Sequence, residues 1–280
     1  MNKDLEAIRE QQKASWNRFA AGWKKWDPVT MEFLQPMKEV IINYLQPKDG
    51  QKILDIAAGT GEPALSIAAS IKNGVVTITD ISEEMMEIAS EKAIAKELTN
   101  IETKVCDATD LPFENGSFDA VSCRFGFMFF PDMQLAANEI GRVLKPGGRF
   151  ATTVWNFPEK NFWVTAIMGT IMRLMEIPAP PPEVPGMFRC CKPGRMRDIL
   201  EKAGFNDIEE REVLSTLKTE SVDEYWEMMT EIGASVVAAL SQADEGMRSK
   251  IKEEVFRLIK QKCPETVSLE ASAIAITAIK

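Results

Sequence analysis

Apolar positions follow two rhythms along this chain. Ile53, Leu54 and Ile56 form a short dense run, as in a parallel strand covered on both faces. Ala64, Leu65, Ile67, Ala68 and Ile71 then recur at helical spacing, with Gly59 and Gly61 between the two patterns. The stretch 53–68 therefore predicts a buried strand, a glycine turn and the start of a helix. Pro63 falls at the first helical position, where its missing N–H costs nothing. Similar runs predict strands at 75–80, 101–106, 118–123, 149–155 and 205–217, separated by helical patterns. The run at 101–106 carries Glu102 and Lys104, a polarity that suits a sheet edge. The alternating stretch 267–280 predicts a last, antiparallel strand. Upstream, Trp16, Phe19, Ala20, Trp23 and Trp26 form an aromatic stripe on a helix over 1–26, and a second helix is expected over 30–45.

Strands alternating with helices over short connections predict an α/β, doubly wound, Rossmann-like fold. Its sheet is seven-stranded and mostly parallel, with the last strand antiparallel. Four regions are expected: an N-terminal helical cap at 1–46, a ligand-binding core at 47–155, a lid insertion at 156–192, and a C-terminal part of the core at 193–280. The last of these carries a helical insertion at 221–262. The proline run 178–182 is a stiff connector within the lid.

Charge and composition narrow the function. The net charge of −9 disfavours nucleic acid as a partner. No stretch has the length and apolarity of a transmembrane span, and residues 1–16 lack a signal-peptide core, so a cytoplasmic protein is expected. Histidine is absent, which removes the commonest general base and metal ligand. The five cysteines have no zinc spacing, and no metal is expected. The vicinal pair Cys190-Cys191 is either two semi-buried thiols or a soft-metal contact.

The glycine turn carries the candidate chemistry. Gly59-Thr60-Gly61-Glu62-Pro63-Ala64 fits a dinucleotide fingerprint with alanine in the third glycine place. Two carboxylates argue otherwise: Asp55 lies just before the turn and Glu62 within it, so a pyrophosphate would meet negative charge. A ligand carrying a sulfonium and an ammonium, S-adenosylmethionine, suits these neighbours better. Asp55 has a plainer reading, as a buried acid that pins the loop. Asp80, at the carboxyl end of the second strand, is placed to accept both hydroxyls of a ribose. Ile81 and Met85 flank a place for an adenine ring, although Met85 also suits a helix core. Asp107 can accept from the exocyclic amine of adenine, and the Ala108 N–H can donate to a ring nitrogen. The aromatic run 125–130 lies at the carboxyl end of the fourth strand, where open α/β sheets bind ligands. Trp23, Trp26, Phe127, Phe129, Trp155 and Trp163 are the candidate acceptor-pocket residues. For each of them, core packing is the competing explanation.

The segments LDIAAGTGEPALSIA, ITDIS, CDATDLPF, FDAVSCRFGFMFFPD and GRVLKPGGRF together resemble the class I S-adenosylmethionine-dependent methyltransferases. They look closest to the ubiquinone/menaquinone-biosynthesis-like, or type 11, branch, and CKPGRMRDILEKAGF resembles it too. The resemblance implies seven strands, the last inserted antiparallel beside the fifth. It implies cofactor contacts from Asp55, Ala57, Gly59 and Gly61, from Asp80, from Asp107 with Ala108, and from Arg124. Ala57 departs from the family's usual glycine, which implies a shifted contact. The expected reaction is direct displacement of the methyl group by a small apolar or lipid-like acceptor. The methylated atom (oxygen, carbon or nitrogen) and the oligomeric state stay open. No catalytic residue stands out; without histidine, a base would be a carboxylate, Tyr225, a cysteine or a held water. The alternatives are a nicotinamide-dependent dehydrogenase, a catalytically silent ligand-binding module of the same fold, and a metalloid methyltransferase using Cys190-Cys191.

Overall fold

A computed structural model describes residues 3–280; residues 1 and 2 of the expected first helix, and of the cap at 1–46, lie outside it. Three helices come first: α1 (Lys3–Lys25), α2 (Asp27–Phe33) and α3 (Gln35–Leu45). Then β1 (Lys52–Ile56), α4 (Ala64–Ser70), β2 (Val75–Asp80), α5 (Glu83–Ala95), β3 (Ile101–Val105), β4 (Phe118–Arg124), α6 (Met133–Val143) and β5 (Leu144–Trp155) alternate. α7 (Phe162–Leu174) and α8 (Arg195–Lys202) precede β6 (Asn206–Thr219). Three helices, α9 (Val222–Ile232), α10 (Ala234–Ser241) and α11 (Glu245–Lys262), lead to β7 (Val267–Ile279).

The seven strands form one sheet in the order β3-β2-β1-β4-β5-β7-β6. β1 pairs in parallel with β2 and β4, β4 with β5, and β2 with β3. β7 lies antiparallel between β5 and β6. The polar strand β3 takes an edge, as its Glu102 and Lys104 predict. Alternation along the strands divides the core in two. Ile53, Val76, Ile78, Ala120 and Ala151 pack with Ile41 of α3, Leu65 of α4 and Ala89 of α5. Leu54, Val121, Phe150 and Val154 pack on the opposite face with Ile140 of α6, Ile167 of α7 and Ile259 of α11. Strand order reverses between β1 and β4, so the ligand crevice of such a sheet falls at their carboxyl ends.

Three expectations change. The helix predicted over 30–45 is two helices, because Pro36 supplies no amide hydrogen and the chain breaks at Leu34 (φ −92°, ψ 4°). Pro63 precedes α4 as its cap, one position before the place assigned from sequence. α7, expected inside a lid over 156–192, is built into the core: Ile167 and Ile171 are fully buried. Asn161 anchors it, its amide donating to the carbonyls of Asn156 (3.2 Å), Phe157 (3.1 Å) and Ser272 (3.0 Å). Its Oδ1 accepts from Trp163 Nε1 (3.0 Å) and the Ser272 N–H (3.1 Å).

Candidate functional site

The carboxyl ends of β1, β2 and β4 bring the predicted residues together around the glycine turn. Gly59 has φ +55°, and a Cβ built there meets no atom within 4 Å, so its backbone is open to close approach. Gly61 serves packing: at φ +104°, an added Cβ would lie 2.8 Å from Leu65 Cδ1 and 3.3 Å from Ala89. Ala57 also has positive φ, at +53°, as does Phe125, at +61°. The Ala57 methyl has room because Gly126 has no side chain; a Cβ on Gly126 would sit 2.7 Å from it. Two non-glycine residues in the left-handed region meet at this crevice, and such strain collects at functional sites.

Asp80 ties the turn to α5. One carboxylate oxygen accepts from the Gly59 N–H (2.9 Å) and the other from the Ser82 N–H (2.9 Å). The Ile81 N–H also favours the carboxylate, and the remaining lone pair can accept from a ribose hydroxyl. Burial raises the Asp80 pKa against those backbone donors. Ser82 then caps α5 by accepting from the Met85 N–H (3.1 Å).

Asp55 is fully buried. Its Oδ1 accepts from Ser122 Oγ (2.6 Å), directly across the β1–β4 register, while its Oδ2 is buried without a partner. Burial pushes its pKa up to about 7, against the Ser122 hydroxyl, the Arg124 guanidinium and the Ala64 N–H. Arg124 donates through Nε to the Glu62 carbonyl (3.1 Å). Burial lowers its pKa, and the charges of Asp55, Glu62 and Asp27 oppose that fall. Asp27, at the start of α2, accepts from Thr60 Oγ1 (3.3 Å) in the turn and from Lys92 Nζ (2.8 Å) on α5. Asp27, Asp55 and Glu62 thus surround the turn with Arg124 and Lys92 among them, and Asp55 Oδ2 has no partner within hydrogen-bond geometry. That donor set fits a ligand group bearing positive charge.

Asp107 lies just beyond β3. Its Oδ1 accepts from the Thr109 N–H (2.7 Å) and Thr109 Oγ1 (2.8 Å), and its Oδ2 meets the Arg9 guanidinium of α1. Ala108 beside it is buried. Ile81 is half-buried, whereas Met85 packs with Ala20 of α1 and Ile88 in a small cluster, so α1 covers the residue proposed to flank an adenine.

The six pocket candidates divide. Trp23 and Phe129 are half-buried, and both rings neighbour Trp16, at 6.4 and 5.2 Å between centroids. Trp155 and Trp163 are buried, inside an aromatic box and not on an open pocket wall. Phe125 stacks on Trp155 (4.3 Å), Phe33 lies parallel to it (5.8 Å), and Trp163 lies against Trp155 (5.0 Å) and edge-on to Phe33 (5.0 Å). Phe127 is not a pocket residue: it is fully buried against Phe130 and Phe150. Nor is Trp26, which is buried with its indole N–H on Glu231 of α9 (2.7 Å). Tyr225 is excluded as a base, because its buried hydroxyl donates to the Trp163 carbonyl (2.7 Å) and burial raises its pKa. Cys190 is buried, with its sulfur 3.5 Å from that of Met133, and burial pushes its thiol up to about 12. Among the described residues, no group of three or more His, Cys, Asp or Glu side chains could hold a metal. Arg9, Asp27 and Ser122 were missed from sequence. Each meets its partner only after docking or strand pairing, and no local motif marks it.

The model of the ubiE/COQ5 methyltransferase family matches residues 27–167, which contain every candidate of the glycine turn. The ubiquinone/menaquinone biosynthesis C-methyltransferase UbiE of Brucella anthropi is 44% identical over 117 residues, covering 40% of this chain and 44% of that protein. The demethylmenaquinone methyltransferase of Staphylococcus carnosus is 35% identical over 121 residues, covering 43% and 49%. The chain thus spans about half the length of the curated relatives it matches or less. Among solved structures, the YcgJ protein of Bacillus subtilis aligns with a TM-score of 0.59 at 21% identity, covering 87% of this chain and 97% of that one. That last likeness concerns the fold alone.

Proposed function

This chain belongs to the ubiE/COQ5 methyltransferase family, and on that premise we propose that it transfers a methyl group from S-adenosylmethionine to a small apolar, quinone-like acceptor. The single observation that carries the reading is the buried, unpartnered Asp55 Oδ2 beside a glycine turn ringed by acids. When bound, the cofactor supplies a methyl group on a positively charged sulfur, open to direct displacement. The residues present fit it. Asp55 and the open backbone at Gly59 would hold the methionine part, Asp80 a ribose hydroxyl, and Asp107 with Ala108 the adenine. A dinucleotide pyrophosphate would meet three acids at the same turn, which favours the sulfonium ligand.

The rest of the task is positioning and water exclusion. Phe125, half-buried at the end of β4 and backed by the buried Trp155, offers an aromatic surface against which a flat acceptor can lie. The net charge of −9 supports a small-molecule acceptor over nucleic acid. Among the described residues, no helix is long and apolar enough to cross a membrane.

Titration with S-adenosylhomocysteine by calorimetry tests the cofactor. The wild type binds, and Asp80→Ala weakens binding by about 1–3 kcal/mol through lost hydrogen bonds. No heat of binding to the wild type removes the proposal.

A further inference from the structure

Helix α1 lies across the place assigned to the adenine, and one of its side chains occupies the acid expected there. Arg9 Nη2 donates to Thr109 Oγ1 (3.2 Å), and the same guanidinium rests against Asp107 Oδ2. Asp107 Oδ1 is already engaged by the Thr109 N–H and hydroxyl. Oδ2 is therefore the oxygen left for an incoming amine, and it is sealed from solvent in this arrangement. Oδ2 keeps a second lone pair, but it is buried with the guanidinium against it, so an adenine amine gains access to it when Arg9 moves aside.

The two halves of α1 are fastened differently. Toward its C-terminus, Gly22 sits so close to the Glu231 carbonyl that a Cβ would overlap it, Phe19 and Ala20 are buried, and Lys25 pairs with Glu231 (2.7 Å). Toward its N-terminus, polar ties to the core include Arg9 to Asp107 and Thr109 and Lys13 to Glu83 (2.9 Å). Lys13–Glu83 lies near the surface, where an ion pair is individually weak and exchanges readily, so the mostly buried Arg9–Asp107 contact is the tie that holds these turns down. The first turns can thus lift while the second half stays docked on α9.

We propose that α1 is a gate on the cofactor site, with Arg9 as its latch. Arg9 competes with the cofactor's adenine amine for Asp107, so entry requires the exchange of one cationic partner for a neutral one. The inference rests on the cofactor reading above. A latch that must open lowers apparent affinity by the fraction of time it is shut.

The test is calorimetric titration with S-adenosylhomocysteine of the wild type, Arg9→Gln and Lys24→Gln. Lys24 pairs with Glu91 on α5, away from Asp107, so its loss loosens the helix without freeing the acid. Arg9→Gln should tighten binding about three- to tenfold, the size of one released ion pair, with Lys24→Gln close to wild type. Unchanged or weaker binding by Arg9→Gln overturns the gate, and so does an equal gain in both variants, which would mark general loosening. Binding by none of the three proteins overturns the cofactor reading itself, and the gate with it.

Discussion

Asp55 is a carboxylate that folding makes costly to ionise. Burial raises its pKa from the ordinary 3.8 to about 7, and Ser122 and Arg124 offset only part of that rise. Between those values the folded protein holds a proton that the unfolded chain has released. The stability this group contributes is complete below 3.8 and is lost as pH rises through about 7. Asp55→Asn should therefore flatten the fall in melting temperature from pH 5 to pH 8 and raise it at pH 8 by about 2–4 °C. The same variant should weaken binding of positively charged S-adenosylmethionine more than that of its neutral demethylated product. Thermal melts and paired titrations measure both, and a wild-type pH slope kept by the variant would place the proton elsewhere. Residues with local geometry were legible from sequence. Gly59 and Asp80 could be read because a glycine turn and a strand-end acid carry their own signals. Ser122 could not, since its meaning depends on lying opposite Asp55 in another strand. Phe127 and Phe129 are two apart in sequence, yet the 3-10 turn at Phe127–Phe129 sends one ring inward and the other to Trp16.

At the scale of elements, α7 shows where pattern and boundary conflicted. The proline run 178–182 reads as the connector of a lid, but the Met- and Ile-rich helix before it is apolar around much of its surface, as a buried helix must be. Asn161, at the start of that helix, makes five buried or half-buried hydrogen bonds of 3.0–3.2 Å, two of them to Ser272 of β7. Asn161→Ala leaves the Ser272 N–H and the Trp163 indole without their acceptor, and should cost about 2–3 kcal/mol in urea denaturation. A loss below about 0.5 kcal/mol would mean that the network is redundant. The aromatic stripe of the first helix was legible as one face, and the structure uses it twice: Trp26, just past α1, docks on α9, while Trp16 and Trp23 pack beside Met85, with Trp16 also against Phe129. Helical periodicity names a buried face but not its neighbour, so Arg9's meeting with Asp107 lay beyond it.

Across the whole molecule, the alternation of strands and helices predicted the doubly wound sheet, and the composition of 267–280 predicted its last strand. Strand order came from the family resemblance, because periodicity does not say which strands touch. β7 is an interior strand, paired with β5 over Arg149–Trp155 and with β6 as far as Thr219. Removing residues 267–280 should therefore leave β6 with no sheet to join and yield an insoluble chain, whereas a mere loss of the edge would leave a folded protein. Solubility and circular dichroism of the truncated chain distinguish these. The same placement sets a schedule for biosynthesis. While β7 is still within the ribosome, β5 shows an open flank and β6 waits unpaired on the nascent polypeptide. The cell must shield two sticky ribbons until nearly all of this sequence has emerged.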